Sequence, residues 1–386
     1  MYLRILKHAD SSQRSLEEFV SEEQTPRRTP LYDTHARHGG RFVPFAGWEM
    51  PVRYDSIIRE AEAVRTNAGL FDVSHMGRVE FEGPGAASLL DSVLSVNVQG
   101  MRTGRAHYNV ICDRSGGIID DCIVYRLGDQ KFLLIPNASN TDVVLDWIES
   151  HRPDNEETSI TNVTSDIAMI ACQGPKARDM VASLAESDIS KIRPFRARRA
   201  TVNGVKTFLA RTGYTGEDGF EIMVPSESAA AMWESLMELG AAACGLGARD
   251  VLRLEAGLLL HGNDMDTSVN PYEAALERFV DPDREGYVAG DALRAIRDDG
   301  VSRKIAAFEM TERGIARPGY SIMDGENRIG SVTSGGPSPT LDTNIGLGYV
   351  PIAYSEPGTR ISVEIRGRPV EAEIRTLPFY RRSRSA

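Results

Sequence analysis

The feature that most constrains this chain is the stretch GGIIDDCIVY, Gly116 to Tyr125. Two glycines feed a run of apolar, mostly β-branched residues, the pattern of a turn entering a strand buried on at least one face. Two adjacent carboxylates, Asp120 and Asp121, interrupt that run. Side chains alternate faces along a strand, so the two acids are expected to point to opposite sides, one of them toward whatever lies beside the sheet. An ionised carboxylate in such a place must be solvated, paired or in use. For two acids alone, the plainer reading is a turn-flanking pair that meets an arginine or a backbone N–H.

Around this strand the pattern predicts an antiparallel meander over residues 105–112, 118–127 and 131–136, separated by glycine-containing turns. Upstream, residues 37–51 show no periodicity and read as an ordered loop with short strands. Residues 55–67 read as a helix capped by Asp55 or Ser56 and stopped at Gly69. Residues 84–96 give a second helix with Leu89, Leu90, Val93 and Leu94 on one face. An amphipathic helix over 141–151 and a polar loop over 152–157 close a first mixed α/β unit. A second unit begins with a strand at 167–172 and a helix opening at Pro175. Strands at 205–211 and 220–224 follow, with helices near 227–239 and 248–260.

Beyond about Val301, short alternating segments at 304–310, 328–333, 345–350, 360–365 and 370–376 are punctuated by Gly and Pro, as in small barrels. The fold class expected is α+β, with two mixed lobes built on antiparallel sheets and a C-terminal β-barrel. The expected division is a polar extension over 1–28, a two-lobed body over 29–300 and the barrel over 301–386.

Composition excludes several functions. No run approaches 18 uninterrupted apolar residues, so no membrane span is expected. Residues 1–28 lack the apolar segment of a secretory signal, and Asp10, Glu17, Glu18, Glu22 and Glu23 make them too acidic for a typical transit peptide. Cys112, Cys122, Cys172 and Cys244 have no CxxC spacing, which suits reduced thiols in a cytoplasmic compartment. The seven histidines show no HExxH, so no metal site is expected. A net charge of −11 argues against a nucleic-acid binder. Basic residues cluster at 191–199 and at Arg381, Arg382 and Arg384, as solvated faces or as docking patches for an acidic partner.

Two further stretches carry chemistry. RTGYTGEDGFE, Arg211 to Glu221, is a glycine-rich loop running into a strand that carries Glu221. It is no phosphate loop, since GxxxxGK[ST] is absent and Glu217, Asp218 and Glu221 would repel a phosphate. A carboxylate does suit a heterocycle that presents adjacent N–H donors, as pterins and guanines do. An ordinary hairpin with an acidic turn fits these residues equally. GLGARDVLRLEAG, from Gly245, places Arg249 in the first turn of a helix, where the macrodipole gives a cation no benefit. Arg249 there reaches for an anion, or forms a structural ion pair with Asp250 or Glu255. Neither GxSxG nor any other triad context is present, so the chemistry expected is that of a carboxylate and of positioning.

These stretches, with TPLYDTH (Thr29 to His35), FAGWEMPV (Phe45 to Val52), LFDVSHMG (Leu70 to Gly77), ACQGPKA (Ala171 to Ala177), GNDMD (Gly262 to Asp266), VTSGGPSPTL (Val332 to Leu341) and LPFY (Leu377 to Tyr380), resemble the glycine cleavage T-protein family. The resemblance runs from about Thr29 to Arg381. It implies three lobes around a central tetrahydrofolate site. It implies Asp121 as the functional carboxylate near the folate ring nitrogens, Glu221 as the pterin-holding acid and Arg249 as the partner of the folate glutamyl carboxylate. Tyr108, Tyr125, Asn137 and Tyr214 match positions around the ring. The segment LERFVDPD, Leu276 to Asp283, departs from the family's more usual Gly-x-x-Trp-x-Val-Lys pattern.

The activity implied is aminomethyl transfer from a lipoylated H-protein carrier to tetrahydrofolate, with release of ammonia. The alternative is a folate-dependent demethylase of another small C1 donor, a sulfonium or N-methyl compound. A folate-binding maintenance factor of iron–sulfur assembly is disfavoured, because GYTGEDGFE lacks that branch's cysteine.

Overall fold

The meander expected around Ile118 is present: Ala106–Cys112, Ile118–Gly128 and Lys131–Ile135 pair antiparallel in chain order. The structure, a computed structural model, describes residues 25–154 and 157–383. Among these residues the first sheet has five strands, because Val79–Glu82 and Ser159–Asn162 extend it beyond Lys131–Ile135. The first unit therefore does not end with the loop at 152–157: the chain returns as an edge strand, with Ile160 opposite Phe81. A weak helix before residue 25 would lie outside the described residues. Arg27 and Arg28 pair in parallel with Trp48 and Glu49.

The second sheet runs Ala197–Val202, Val205–Ala210, Gly219–Pro225, Ile167–Gln173, Gly69–Asp72, Ala242–Ala243. The basic run at 191–199 thus leads into an edge strand, with Ala197 and Val202 buried and charged side chains between them. Gly69 opens a strand instead of stopping the preceding helix, Ile57–Thr66, which is capped by the Ser56 hydroxyl accepting from the Arg59 N–H. A Cβ at Gly69 would lie 2.4 Å from Val64 and 2.8 Å from the Cys244 sulfur, so glycine is needed there for close packing. Asp72 ends this strand and fastens the N-terminal helix Tyr32–Arg37, accepting from the Thr29 hydroxyl at 2.6 Å and bonding His35 Nε2 at 2.9 Å. Burial would push its carboxyl up. The His35 ring, Thr29 and the Ser74 N–H outweigh that and hold it at about 2.

Strand alternation then builds four layers. Cys122, Val124 and Phe132 face the helices Ala86–Val93 and Thr141–Glu149. Tyr125, Leu133 and Ile135 face the other way and meet Phe71, Met169, Ala171 and Met223 of the second sheet. The far side of that sheet, with Ile170, Phe220 and Ile222, is covered by Ala177–Leu184 and Ala229–Glu238.

The C-terminal strands close into a barrel ordered Arg303–Met310, Thr343–Pro351, Asn327–Ser338, Ser321–Asp324, Arg360–Ile365, Arg368–Arg375. Asn327–Ser338 is longer than its sequence suggests, because Gly335 does not break it. That glycine pairs with Gly346 while a Cβ on it would lie 2.6 Å from the Ala316 carbonyl oxygen.

The helix Leu246–Glu255 stops earlier than expected, at Gly257 in the left-handed region (φ 67°), with the Leu258 N–H returning to the Arg253 carbonyl at 2.9 Å. Its last turn is the joint to the barrel. Arg253 is 2% exposed and donates to Asp264 at 2.6 Å and to Ser334 at 2.7 Å. Thr333 and Ser334 donate to the other Asp264 oxygen at 2.6 and 2.7 Å. Glu255 accepts from Ser338 at 2.6 Å, Thr340 at 2.8 Å and Arg65 at 2.7 Å. Removing one member of a buried pair leaves an uncompensated charge. Asp264→Ala is therefore expected to lower stability by about 3–5 kcal/mol, read as a reduced urea midpoint. A loss below about 1 kcal/mol would show that the joint is not closed by this pair.

Candidate functional site

Beside this joint, where the two sheets face each other, charged groups without counter-ions collect. Glu221 lies on the strand Gly219–Pro225, opposite Ala171 on one side and Ala210 on the other. Its carboxylate accepts from the Tyr125 hydroxyl at 3.3 Å and from the Thr212 hydroxyl, and these two hydroxyls are 2.9 Å apart. The other acids of the loop are ion-paired: Glu217 with Arg65 at 3.0 Å, Asp218 with Arg211. Among the described residues Glu221 has no bonded cation, which separates it from an acidic hairpin turn.

Arg249 projects from the first half of Leu246–Glu255 with its guanidinium 4.7 Å from the centre of the Tyr214 ring, whose hydroxyl donates to the Leu259 carbonyl. Its Nη1 is buried and has no hydrogen-bond partner among the described residues. The structural ion pairs open to it in the sequence belong to other residues, Asp250 to Arg253 at 2.8 Å and Glu255 to Arg65. Burial lowers the Arg249 pKa, while Tyr214 and Glu221 oppose that shift. Behind it His75 is held neutral, its pKa pushed down to about 3 by burial against the pull of Asp72, and its Nδ1 has no partner.

The third cluster is the carboxylate pair. The ladder slips between Ile111, opposite Asp120, and Cys112, opposite Ile118, so Ile119 is an extra residue in the strand. Alternation alone suggests two separate groups, but both carboxyls bond one asparagine. Asn137 follows the next strand, and its Nδ2 donates at 2.8 Å to Asp120 Oδ1 and at 2.8 Å to Asp121 Oδ1. Its backbone N–H adds a bond to Asp120 Oδ2 at 2.9 Å. Asn140 Nδ2 donates to Asp120 at 3.1 Å and to His261 Nδ1 at 3.0 Å. Asp120 is wholly buried and Asp121 half-buried. Burial first, and for Asp121 the charge of Asp120 second, raise both to about 6, against hydrogen bonds from Asn137 and, at Asp121, from the Tyr108 hydroxyl. Tyr108 packs edge-on to Phe279 at 4.7 Å, so the atypical segment LERFVDPD supplies a wall of this cluster.

The seven residues singled out in the sequence thus fall into three adjoining groups: Asp121, Asn137 and Tyr108; Glu221 and Tyr125; Arg249 and Tyr214. Tyr214 feels the charges of both Asp121 and Arg249, and Arg249 that of Glu221. The sequence reading missed Asp120 as a member, and also Asn140, His261 and Thr212. Asn140 was signalled by its three-residue spacing from Asn137 at a helix start, and Thr212 by its place in the glycine-rich loop. His261 was not signalled at all, since only folding brings it to Asn140.

The described residues offer no group of His, Cys, Asp or Glu able to hold a metal ion, and no helix long and apolar enough to cross a membrane. Two family models match the chain: the GCVT N-terminal domain over residues 31–284, and the glycine cleavage T-protein C-terminal barrel domain over 303–381. The aminomethyltransferase of Bacillus mycoides (strain KBAB4) is 43% identical over 366 residues, 93% of this chain and all of that protein. That of Bacillus cereus (strain AH187) is 42% identical over the same shares. The crystal structure of glycine cleavage system aminomethyltransferase T from Bartonella henselae superposes with a TM-score of 0.87 at 34% identity, covering 92% of this chain and 98% of that one.

A guanidinium with a buried, unpartnered nitrogen costs folding energy that an apolar side chain of similar length avoids. Arg249→Met should therefore raise the stability of the ligand-free protein by about 1 kcal/mol, seen as a higher melting temperature. A lower melting temperature would mean that Arg249 is a structural partner after all.

Proposed function

The chain belongs to the glycine cleavage T-protein family of aminomethyltransferases, and from this we propose that it passes the methylene of an aminomethyl group, carried on a lipoylated H-protein, to tetrahydrofolate in the cytoplasm. The relatives' aminomethyltransferase activity favours this over demethylation of another small C1 donor. The observation that carries the reading is one interior where Glu221, the Asp120–Asp121 pair and Arg249 gather without an ion pair among the described residues, beside a joint whose acids and arginines are matched.

Each unpaired group has a complement on the substrate. The Glu221 oxygens would accept the adjacent N–H donors of the pterin edge, with Tyr125 and Thr212 fixing the carboxylate. Arg249, held over Tyr214, would meet the glutamyl carboxylate. Asp121, oriented by Asn137 and Tyr108, would face the reacting folate nitrogens.

In the transfer, two C–N bonds form from the methylene to folate nitrogens, and its bonds to sulfur and to the amine break. The two protons leaving the folate nitrogens are taken up by the lipoyl sulfur and by the departing ammonia. Asp121 would receive a folate proton and hold it for the leaving group, while the fixed pterin and tail supply alignment. The body over 29–300 would form this site and the barrel over 301–386 would seat it.

Glu221→Gln is expected to weaken tetrahydrofolate binding by roughly 1.5–3 kcal/mol, since one of two charge-assisted bonds becomes a mismatched amide. Calorimetry showing unchanged affinity would remove Glu221 from the site. Asp121→Asn is expected to keep most of that affinity and lose turnover by about 10²-fold or more, measured as ammonia and methylenetetrahydrofolate formed from an aminomethyl-loaded carrier. Turnover near the wild-type value would sink the role given to Asp121.

A further inference from the structure

The mechanism just described uses Asp121 and leaves unexplained why a second carboxylate lies beside it. Asn137 Nδ2 has two hydrogens and three acceptors within reach: Asp120 Oδ1 and Asp121 Oδ1, each at 2.8 Å, and the Asp121 carbonyl at 3.0 Å. The two carboxylate oxygens are therefore at most two hydrogen-bond lengths apart. Asp120 is wholly buried and has only neutral donors, Asn137 N–H, Asn137 Nδ2 and Asn140 Nδ2. Neither carboxyl is bonded by a lysine or arginine among the described residues.

We propose that Asp120 is a positioning residue of the transfer reaction: joined to Asp121 through the Asn137 amide, it makes the two carboxyls hold one proton between them and so fits Asp121 to take up and return the folate proton. This rests on the role given to Asp121 above. Two carboxylates sharing one buried donor cannot both be ionised cheaply, so they titrate as a pair. The other titratable groups facing Asp121 do not cancel this charge. Tyr108 from Ala106–Cys112, Cys122 on the same strand and Tyr214 from the glycine-rich loop all have pKa values raised by burial and by the Asp121 charge. His261, bonded to Asn140 at 3.0 Å, has its pKa lowered by burial, against the pull of Asp121.

The pairing matters because an ordinary carboxyl holds a proton too weakly to deliver it efficiently near neutral pH. Raised toward neutrality, Asp121 can break the folate N–H bond by forming its own O–H bond. It then gives that proton to the amine nitrogen as the C–N bond to ammonia breaks. The proton count closes on the substrates, and Asp120 is unchanged at the end.

The test compares the pH dependence of turnover in the wild type, Asp120→Asn and Asp121→Asn, with tetrahydrofolate binding measured as a check on folding. The form of Asp121 that accepts the folate proton is the ionised one, so activity falls on the acid side as the pair becomes fully protonated. Removing the Asp120 charge lowers the proton affinity of Asp121, and the acid limb of Asp120→Asn is expected to move to lower pH. An unmoved limb, whatever the loss of rate or stability, would make Asp120 a structural residue only and overturn the proposal. Asp121→Asn with near-normal turnover would instead defeat the reading beneath it, a separate outcome. Should Asp120→Asn fail to fold, infrared titration of the wild type decides: a protonated-carboxyl band persisting to about pH 6 and absent in folded Asp121→Asn supports the shared proton. No such band above the ordinary carboxylate range overturns it.

Discussion

The buried contact between Arg253 and Asp264 is the interaction on which the arrangement of the other parts depends. It sits in the last turn of Leu246–Glu255, the helix whose first half carries Arg249 into the interior. Two residues further on, Glu255 gathers Arg65 from the helix Ile57–Thr66 and Ser338 and Thr340 from the barrel. One helix is thus fastened at its C-terminal end to both neighbours while its N-terminal half serves the interior. Every donor and acceptor named at this joint has a partner, and a satisfied network of this kind fixes geometry more than it adds stability. A shift of the barrel would act on Arg249 through this helix.

The same chain treats charge in two opposite ways within a short distance. At the joint, acids and arginines are matched and covered by hydroxyls. Beside it, Glu221, Arg249 and the Asp120–Asp121 pair are buried or half-buried with neutral partners only. Desolvated charge without a counter-ion is destabilising, and its concentration in one interior supports the ligand site proposed above.

How much of this was legible in the sequence depended on how local the cause was. The meander, the helix at 57–66 and the barrel strands follow from alternation, an N-cap serine and turn glycines, all read within a few residues. The strand Ala197–Val202 was masked by its arginines, which project from an edge and say nothing of the alanine and valine between them. Gly69 and Gly335 read as breaks but are strand residues, because what they answer to is a neighbouring side chain or carbonyl distant in the chain. Among site residues, Asp121, Glu221 and Arg249 each sit in a stretch that local preference alone does not explain. His261 and Asn140 become neighbours only through folding, and the linkage of Asp120 to Asp121 depends on an asparagine beyond the next strand.

The short strand Gly69–Asp72 precedes the whole first sheet in the chain yet belongs to the second, between Ile167–Gln173 and Ala242–Ala243. The second sheet therefore encloses the first one's sequence like a parenthesis. The first sheet is continuous in the chain, but the second cannot be cut out as one piece without carrying the first along, so a fragment beginning near residue 160 would lack Gly69–Asp72 and leave the edge of Ile167–Gln173 unpaired. During synthesis, the early strand emerges well before its partner at Ile167–Gln173. Its apolar residues, Leu70 and Phe71, lack that partner while the intervening sheet is made, an interval in which an unpaired strand edge favours aggregation.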